Sequence, residues 1–159
     1  MATRSNIAYK TASGKIRSVY CHWDGYPEHN GEMLRRNYTD QAKVEALVGL
    51  GSLSALKPEI GEKHTFDKNY DNPELSQMFD NWTLAYHRDR GEDWAHTAPQ
   101  TYDNVVDWVE DMEEYAYLWN GQDWLVNDHG AKDENGYPIF DFVEVAVKHD
   151  VMKNMGWED

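Results

Sequence analysis

The sequence is poor in cysteine and in cationic residues, and it lacks long hydrophobic runs. Cys21 is the single cysteine among 159 residues, so an intramolecular disulfide framework is excluded. No stretch approaches the roughly 20 apolar residues that a membrane-spanning helix needs. The N-terminal MATRSNIAYK also has no apolar core of the kind found in signal peptides. We therefore expect a protein of a reducing cytoplasm that has no membrane partner.

The composition is nevertheless that of a folded protein. Hydrophobic residues make up 40% of the chain and aromatic residues 13%, which is enough to form a core. The length is that of one ordinary domain, and no repeat or long linker divides the sequence. We predict a single domain over residues 1–159.

The cationic residues that are present lie mainly in the first half. Lys and Arg total 15 against 29 Asp and Glu, for a formal net charge of −14. Residues 1–70 hold 10 basic and 8 acidic residues, whereas residues 71–159 hold 5 and 21. This acidic half, 71–159, repels nucleic acid and anionic membranes and favours a basic protein surface or cations. Solubility alone is the simpler explanation of the same charge.

Hydrophobic periodicity predicts a mixture of strands and helices. Val105, Trp108, Val109 and Met112 follow the helical i, i+3, i+4, i+7 spacing, and Asn120-Gly121 is a strong hairpin turn. The last segment fits either a helix or a strand, and we assign it to a helix. The predicted strands are 5–10, 15–21, 82–87, 116–119 and 124–127. The predicted helices are 32–38, 40–50, 103–114 and 139–154, with one helical turn near 74–79 and polar loops at 57–81, 88–101 and 128–136.

This order of elements favours an α+β domain. The helices 40–50 and 103–114 each need an apolar face to be covered, and hairpins supply such a face. We predict an antiparallel sheet of hairpins covered by about three helices.

Several segments resemble a known group of proteins. They are RSNIAY from Arg4, IRSVYCHWDGYPEHNG from Ile16, LGSLS from Leu50, HRDRGED from His87, and the Asn120-Gly121 hairpin through Asp128-His129-Gly130. The chain resembles, over most of its length, a group of small acidic proteins of tailed bacteriophages. The resemblance implies a phage origin and a role inside an infected bacterium, where small acidic proteins often bind and disable host enzymes. It implies no catalytic residue.

The predicted helix 103–114 carries a candidate binding surface. Five carboxylates share one helix face, and those four residues apart repeat about every 6 Å along the axis. This is close to the spacing of phosphates along a nucleic-acid strand, so an enzyme that grips DNA could bind the row instead. The solvated side of an amphipathic helix is the structural alternative. The five residues are Asp103, Asp107, Glu110, Asp111 and Glu114.

A second set of residues fits a small ligand. Cys21, His22, Asp24 and His29 are potential metal ligands, although their spacing matches no standard zinc pattern. Arginines alternate with aspartates in HRDRGED and could clamp a phosphate. The structural alternatives are a packed loop at 21–31 and a self-neutralising set of surface ion pairs at 87–93. The candidate ligand-binding residues are His22, Asp24, His87, Arg88, Arg90 and His129.

Two functions from different classes follow. The first is a phage-encoded, non-enzymatic protein that inhibits a bacterial host or defence protein by presenting a DNA-like acidic surface, helped by Asp123, Asp128, Asp133 and Glu134, with no cofactor. The alternative is a protein that binds a nucleotide ligand or processes a phosphodiester of a host defence signal, with a divalent metal where the chemistry needs one. That alternative requires the loops 21–31 and 87–93 and His129 to meet in one pocket.

Overall fold

A computed structural model describes residues 2–65 and 72–140. Within these residues the chain forms one seven-stranded sheet with six α-helices around it. The strands are β1 (Ser5–Lys10), β2 (Ile16–Cys21), β3 (Leu53–Ala55), β4 (Leu84–Ala85), β5 (Gln100–Tyr102), β6 (Tyr115–Trp119) and β7 (Trp124–Asp128). The helices are α1 (Glu32–Asn37), α2 (Gln41–Gly49), α3 (Pro73–Asp80), α4 (Tyr86–Arg90), α5 (Trp94–Thr97) and α6 (Val105–Glu110), and a π-helical turn (Pro27–Gly31) precedes α1.

The sheet is mixed rather than purely antiparallel. Its strand order is β4-β3-β2-β1-β6-β7, and β5 pairs with β2 outside this path. The predicted hairpins β1–β2 and β6–β7 are antiparallel, as expected, but β1 pairs with β6 and β2 with β3 in parallel. The α+β class is therefore confirmed, with parallel pairings that hairpins alone do not give.

Both faces of the sheet are packed, because side chains alternate along β1. Ile7 and Tyr9 point to the face covered by α1 and α2, here called the α2 face. Ala8 points to the opposite α6 face, where Trp108 and Val109 of α6 cover it. The indole Nε1–H of Trp108 donates to Ser18 Oγ of β2 at 2.9 Å. This buried bond fixes α6 over the centre of the sheet.

The helix predicted over 103–114 is shorter in the structure. It begins at Val105, because Asn104 Oδ1 accepts the Asp107 amide at 2.8 Å and caps the first turn. It ends at Glu110, after which the Asp111 and Met112 amides bond to the carbonyls three residues back, those of Trp108 and Val109. The Glu113 amide donates to Asn6 Oδ1 of β1 at 2.6 Å, which draws the chain away from the helical path. Six residues span about 9 Å, so α6 covers only part of its face.

The segment 82–101 differs most from its prediction. Only Leu84–Ala85 of the predicted strand 82–87 is extended, and α4 starts directly after it. The Asp89 carboxylate accepts the Ala85 amide at 2.8 Å, which satisfies a free N–H at the start of α4. The predicted loop 88–101 contains the end of α4, all of α5 and the start of β5. A side-chain hydrogen bond at the start of α4 therefore ends the strand that the alternation of apolar and polar residues predicts.

The remaining predictions agree with the structure more closely. The first hairpin, α1 and the hairpin 115–128 lie within one residue of their predicted bounds. Helix α2 starts at Gln41, and the turn predicted near 74–79 is the full helix α3. The helix predicted over 139–154 lies almost entirely outside the described residues. None of the helices described has the length and apolarity to cross a bilayer.

Gly25 provides a test of this packing. A Cβ at Gly25 would lie 2.8 Å from the Thr3 carbonyl oxygen and 2.9 Å from Ser5 Cβ, whereas one at Gly49 would meet nothing within 4 Å. We expect Gly25→Ala to lower the free energy of unfolding by about 1–3 kcal/mol. The matched change Gly49→Ala, in helix α2, should be neutral or slightly stabilising. Urea unfolding of both variants checks this, and equal stabilities would contradict the packing described.

Candidate functional site

One end of the sheet gathers several of the candidate residues. Register pairs align six strand residues in a row across it: Ala85, Leu53, Cys21, Ser5, Tyr115 and Asp128. The residues beyond this row at the end of β2 form what we call the rim: His22, Arg4, Glu114 and His129. Ser52 and Tyr86 lie on the other side of the row, because β3 is parallel to β2 and β4 is antiparallel to β3. A backbone bond continues along the rim, since the His129 amide donates to the Glu114 carbonyl at 2.7 Å.

The rim explains which predicted ligand residues can act together. Adjacent strands lie about 4.8 Å apart, so the four rim positions span roughly 14 Å. The loop 21–31 and the turn at His129 leave the sheet at the rim. The loop 87–93 leaves it at the other end, because β4 runs opposite to β2. The three segments therefore do not meet in one pocket, which the small-ligand alternative requires.

The loop 21–31 is held by its own buried contacts. Asn30 is fully buried, and its Nδ2 donates to the Trp23 carbonyl at 3.1 Å and lies 3.5 Å from Cys21 Sγ. The Tyr117 hydroxyl donates to the Gly25 carbonyl at 2.6 Å. Asp24 has φ of 58°, a left-handed conformation that suits a turn. These contacts are those of a packed loop, as the structural alternative expects, although Trp23 is 45% exposed.

The potential metal ligands of that loop point to different neighbours. Burial raises the pKa of the Cys21 thiol to about 12, and its sulfur faces Asn30. His22 Nδ1 lies 2.5 Å from the Tyr20 hydroxyl. Asp24 lies 4.0 Å from His29 Nε2. Among residues 2–65 and 72–140, no three His, Cys, Asp or Glu side chains are grouped so as to hold a metal ion.

The arginines of HRDRGED are engaged within the protein. Arg88 donates to the Asp89 carboxylate at 2.9 Å, to the Thr83 carbonyl at 2.7 Å and to the Gly61 carbonyl at 3.3 Å. The Asp89 side chain is fully buried, and it also accepts the His64 amide at 3.1 Å. Arg88 therefore joins two loops instead of facing a ligand.

The other candidates in this loop have local partners. Arg90 Nε donates to Glu92 Oε2 at 2.6 Å, and its guanidinium lies 4.8 Å from the centre of the Tyr86 ring. His87 Nδ1 lies 2.8 Å from the Glu92 carbonyl, and its ring packs edge-on against Trp94. At the far end of the rim, His129 Nε2 lies 3.0 Å from Asp128 Oδ1.

The five carboxylates expected on one helix face do not form a regular row. Asp103 precedes α6 and pairs with Lys15 at 3.5 Å. Glu110 pairs with Lys132 at 2.6 Å, and Asp111 accepts the Tyr102 hydroxyl at 2.6 Å. Asp107 accepts from Asn104, while Asp111 and Glu114 both lie beyond the end of the helix. The 6 Å repeat is lost because the helix ends at Glu110.

The same residues form a different acidic feature, which we call the acidic ridge. It comprises Glu110–Glu114 and separates two cavities. The cavity on the α6 face has a volume of about 380 Å³ and is bordered by Asp111 and Glu113. The second, of about 420 Å³, is bordered by Glu110, Glu113, Glu114, His129 and Lys132. Among the described residues the carboxylates of Glu113 and Glu114 have no hydrogen bond or ion pair.

More carboxylates surround Tyr115, next to the ridge. Burial raises the pKa of Tyr115 to about 12, and the charges of Asp128, Glu28 and Glu114 add to the effect. Its ring lies 5.1 Å from that of His129. Glu28 therefore brings the loop 21–31 close to the His129 turn, so the negative potential extends from the ridge along the rim.

Sequence reasoning missed four residues of this region. No motif or spacing in the sequence singles out Arg4, Asn6, Tyr20 or Glu113, although Asn6 and Tyr20 are polar residues within predicted strands. A polar residue that alternates with core residues on a strand is ordinarily solvent-facing. Here Asn6 and Tyr20 border a cavity, because α6 is too short to cover this part of the sheet.

Comparisons with known proteins add no relative. No protein-family model, curated protein or solved structure matches this chain.

The two arginines of HRDRGED allow a matched test. Arg88→Gln should lower the free energy of unfolding by roughly 3 kcal/mol, because it leaves the buried Asp89 carboxylate without its cation. Arg90→Gln removes an exposed ion pair and should cost at most about 1 kcal/mol. Thermal and urea unfolding compare them. Equal losses would mean that Arg88 is not the structural partner of Asp89.

Cys21 gives a test of the loop 21–31. With a thiol pKa of about 12, against an ordinary 9.0, the thiolate that reacts with disulfide reagents is scarce at pH 8. We expect a chromogenic disulfide reagent to label Cys21 slowly in the folded protein and rapidly in urea. Complete labelling of the native protein within seconds would show that the thiol is accessible.

Proposed function

We propose that this protein is a non-enzymatic binding protein that inhibits a bacterial protein with a basic surface. The observation that carries the proposal is the acidic ridge, in which Glu113 and Glu114 have no cationic partner among the described residues. The ridge lies between two cavities, so the lysine or arginine side chains of a partner can reach its carboxylates from both sides. The proposed binding surface is therefore the acidic ridge and not the regular row of carboxylates predicted for helix 103–114.

The charge distribution supports this proposal. A formal charge of −14 attracts a basic partner at long range and speeds its association. Contacts at the ridge then supply charge-assisted hydrogen bonds, which are stronger than neutral ones. A partner that normally grips nucleic acid presents the required basic groove. The proposed target is therefore a DNA- or RNA-binding protein of the host or of its defence.

The proposed setting is the cytoplasm of an infected bacterium. The resemblance of CHWDGYPEHNG and the other segments to small acidic phage proteins supports this setting. Binding rather than catalysis is supported by the use of the reactive groups. The Cys21 thiol is buried with a raised pKa, and Arg88 is bonded to Asp89 and two backbone carbonyls.

The small-ligand alternative is retained in an altered form. The residues of the predicted pocket are divided between the two ends of the sheet, and Arg88 is engaged elsewhere. They are His22, Asp24 and His129 at the rim, and His87, Arg88 and Arg90 at the other end. His22, however, contacts Tyr20, and Tyr20 borders the cavity on the α6 face. A small ligand is therefore proposed there, with different partners, in the next subsection.

The binding function is tested by affinity capture from a bacterial lysate. Tagged protein should capture a nucleic-acid-binding protein at low salt, and capture should fall roughly tenfold or more at about 0.5 M salt, where charges are screened within a few ångströms. Glu113→Gln with Glu114→Gln should abolish capture. Added double-stranded DNA should displace the captured protein, since both compete for the same groove.

The matched control carries the same loss of charge elsewhere. Asp40→Asn with Glu45→Gln changes two exposed carboxylates at helix α2, on the other face of the sheet. This variant should capture the partner as the unmodified protein does. Equal loss of capture in both variants would mean that net charge, and not the acidic ridge, determines binding. A captured protein that DNA does not displace would overturn the proposed DNA mimicry.

A further inference from the structure

Four polar side chains form two cross-strand pairs at the uncovered end of the α6 face. Register opposes Asn6 of β1 to Tyr20 of β2, and Arg4 and His22 are the residues just beyond the last register pair, Ser5 with Cys21. Asn6 shares a face with Ala8, and Tyr20 with Ser18 and Ile16, so all four lie on the α6 face. Directly opposed side chains on one face have Cβ atoms about 5 Å apart. The four polar groups are therefore neighbours.

The Tyr20–His22 contact sets the direction of the imidazole. The hydroxyl and Nδ1 are 2.5 Å apart. With the hydroxyl as donor, Nδ1 is the acceptor and the proton of a neutral imidazole is on Nε2. Nε2–H is then a donor that has no acceptor among the described residues. In that tautomer the contact with Tyr20 directs the Nε2–H of His22 towards a ligand.

Arg4 and Asn6 add further donors. Arg4 is exposed and forms no ion pair within the described chain, yet it lies close enough to Tyr20 to oppose the rise in the pKa of that hydroxyl caused by burial. Asn6 Oδ1 accepts the Glu113 amide, and Nδ2–H₂ has no acceptor within the part of the chain that the structure describes. Guanidinium, imidazole and amide donors together suit an oxyanion, and phosphate above all.

The adjoining cavity has the opposite character. Asn6 and Tyr20 border it on the sheet side, and Asp111, Glu113 and Gln100 border it elsewhere. Carboxylates accept hydrogen bonds from hydroxyl groups but repel a second anion. The volume of about 380 Å³ lies within the range of small-molecule sites. The cavity therefore suits an uncharged, hydroxyl-rich group joined to an anionic head.

We propose that this cavity binds the phosphate ester of a polyol, either a sugar phosphate or a nucleotide. Arg4, His22 and Asn6 hold the phosphate at the rim. Asp111 and Glu113 accept hydrogen bonds from the hydroxyl groups inside. This site is distinct from protein capture by the ridge, although Asp111 and Glu113 border both features.

Calorimetric titration of the full chain at constant ionic strength tests the site with ribose 5-phosphate, adenosine 5′-monophosphate, inorganic phosphate and ribose. Both esters, or one of them, should bind saturably and more tightly than phosphate or ribose alone. The ratio of the affinities for ribose 5-phosphate and adenosine 5′-monophosphate shows whether the sugar phosphate or the nucleotide is the preferred ligand. The His22 ring resonances, assigned with His22→Gln, should shift during the same titration.

Matched variants locate the phosphate. Arg4→Gln should weaken ester binding about tenfold or more, as loss of a charge-assisted hydrogen bond does. Lys10→Gln, at the opposite end of β1, removes the same charge and should leave binding unchanged. Circular dichroism should show both variants folded. The proposal is overturned if neither ester binds, if phosphate alone binds as tightly as the esters, or if both variants behave alike.

Discussion

The parallel pairing of β1 with β6 is the constraint on which the rest of the structure depends. It joins Ser5–Lys10 to Tyr115–Trp119 along five register pairs, so the two halves of the chain share one sheet. The Glu113 amide extends the contact to Asn6 Oδ1 at 2.6 Å. As a result, the acidic ridge lies directly beside β1. This strand belongs to the first half of the chain, where basic residues outnumber acidic ones by 10 to 8. The acidic ridge and the cavity on the α6 face both border this junction.

The junction also explains why opposite charges meet without neutralising each other. Arg4 lies on the rim next to Glu114, yet no ion pair joins them in the described structure. The backbone pairing holds each side chain on its own strand, and their spacing is that of the strands. Sites for an anionic group and for a basic partner can therefore lie side by side. The charge of a ligand bound at one site would therefore change the affinity of the other site.

Much of the polar chemistry in this chain serves the fold. Asn30 holds the loop 21–31 onto the sheet, and Asp89 with Arg88 joins the segments around Gly61 and Thr83. A buried carboxylate of this kind needs every one of its hydrogen bonds, because each unpaired buried group costs free energy. Some residues of the motifs that suggest ligand binding thus attach loops to the rest of the fold. A motif alone does not distinguish this structural role from ligand binding.

The sequence by itself determined the α+β class, the two hairpins, α1 and α2, and the asymmetry of charge, because turn residues and apolar periodicity act over a few residues. It indicated that His22 is a candidate, but not that Tyr20 orients it. Only the tertiary structure decided the strand order, the end of α6 at Glu110 and the neighbours Arg4 and Asn6. These depend on contacts between residues more than a hundred positions apart, such as Asn6 with Glu113. Local propensity carries no information about such partners, since any exposed strand edge can accept many strands and the whole core selects one.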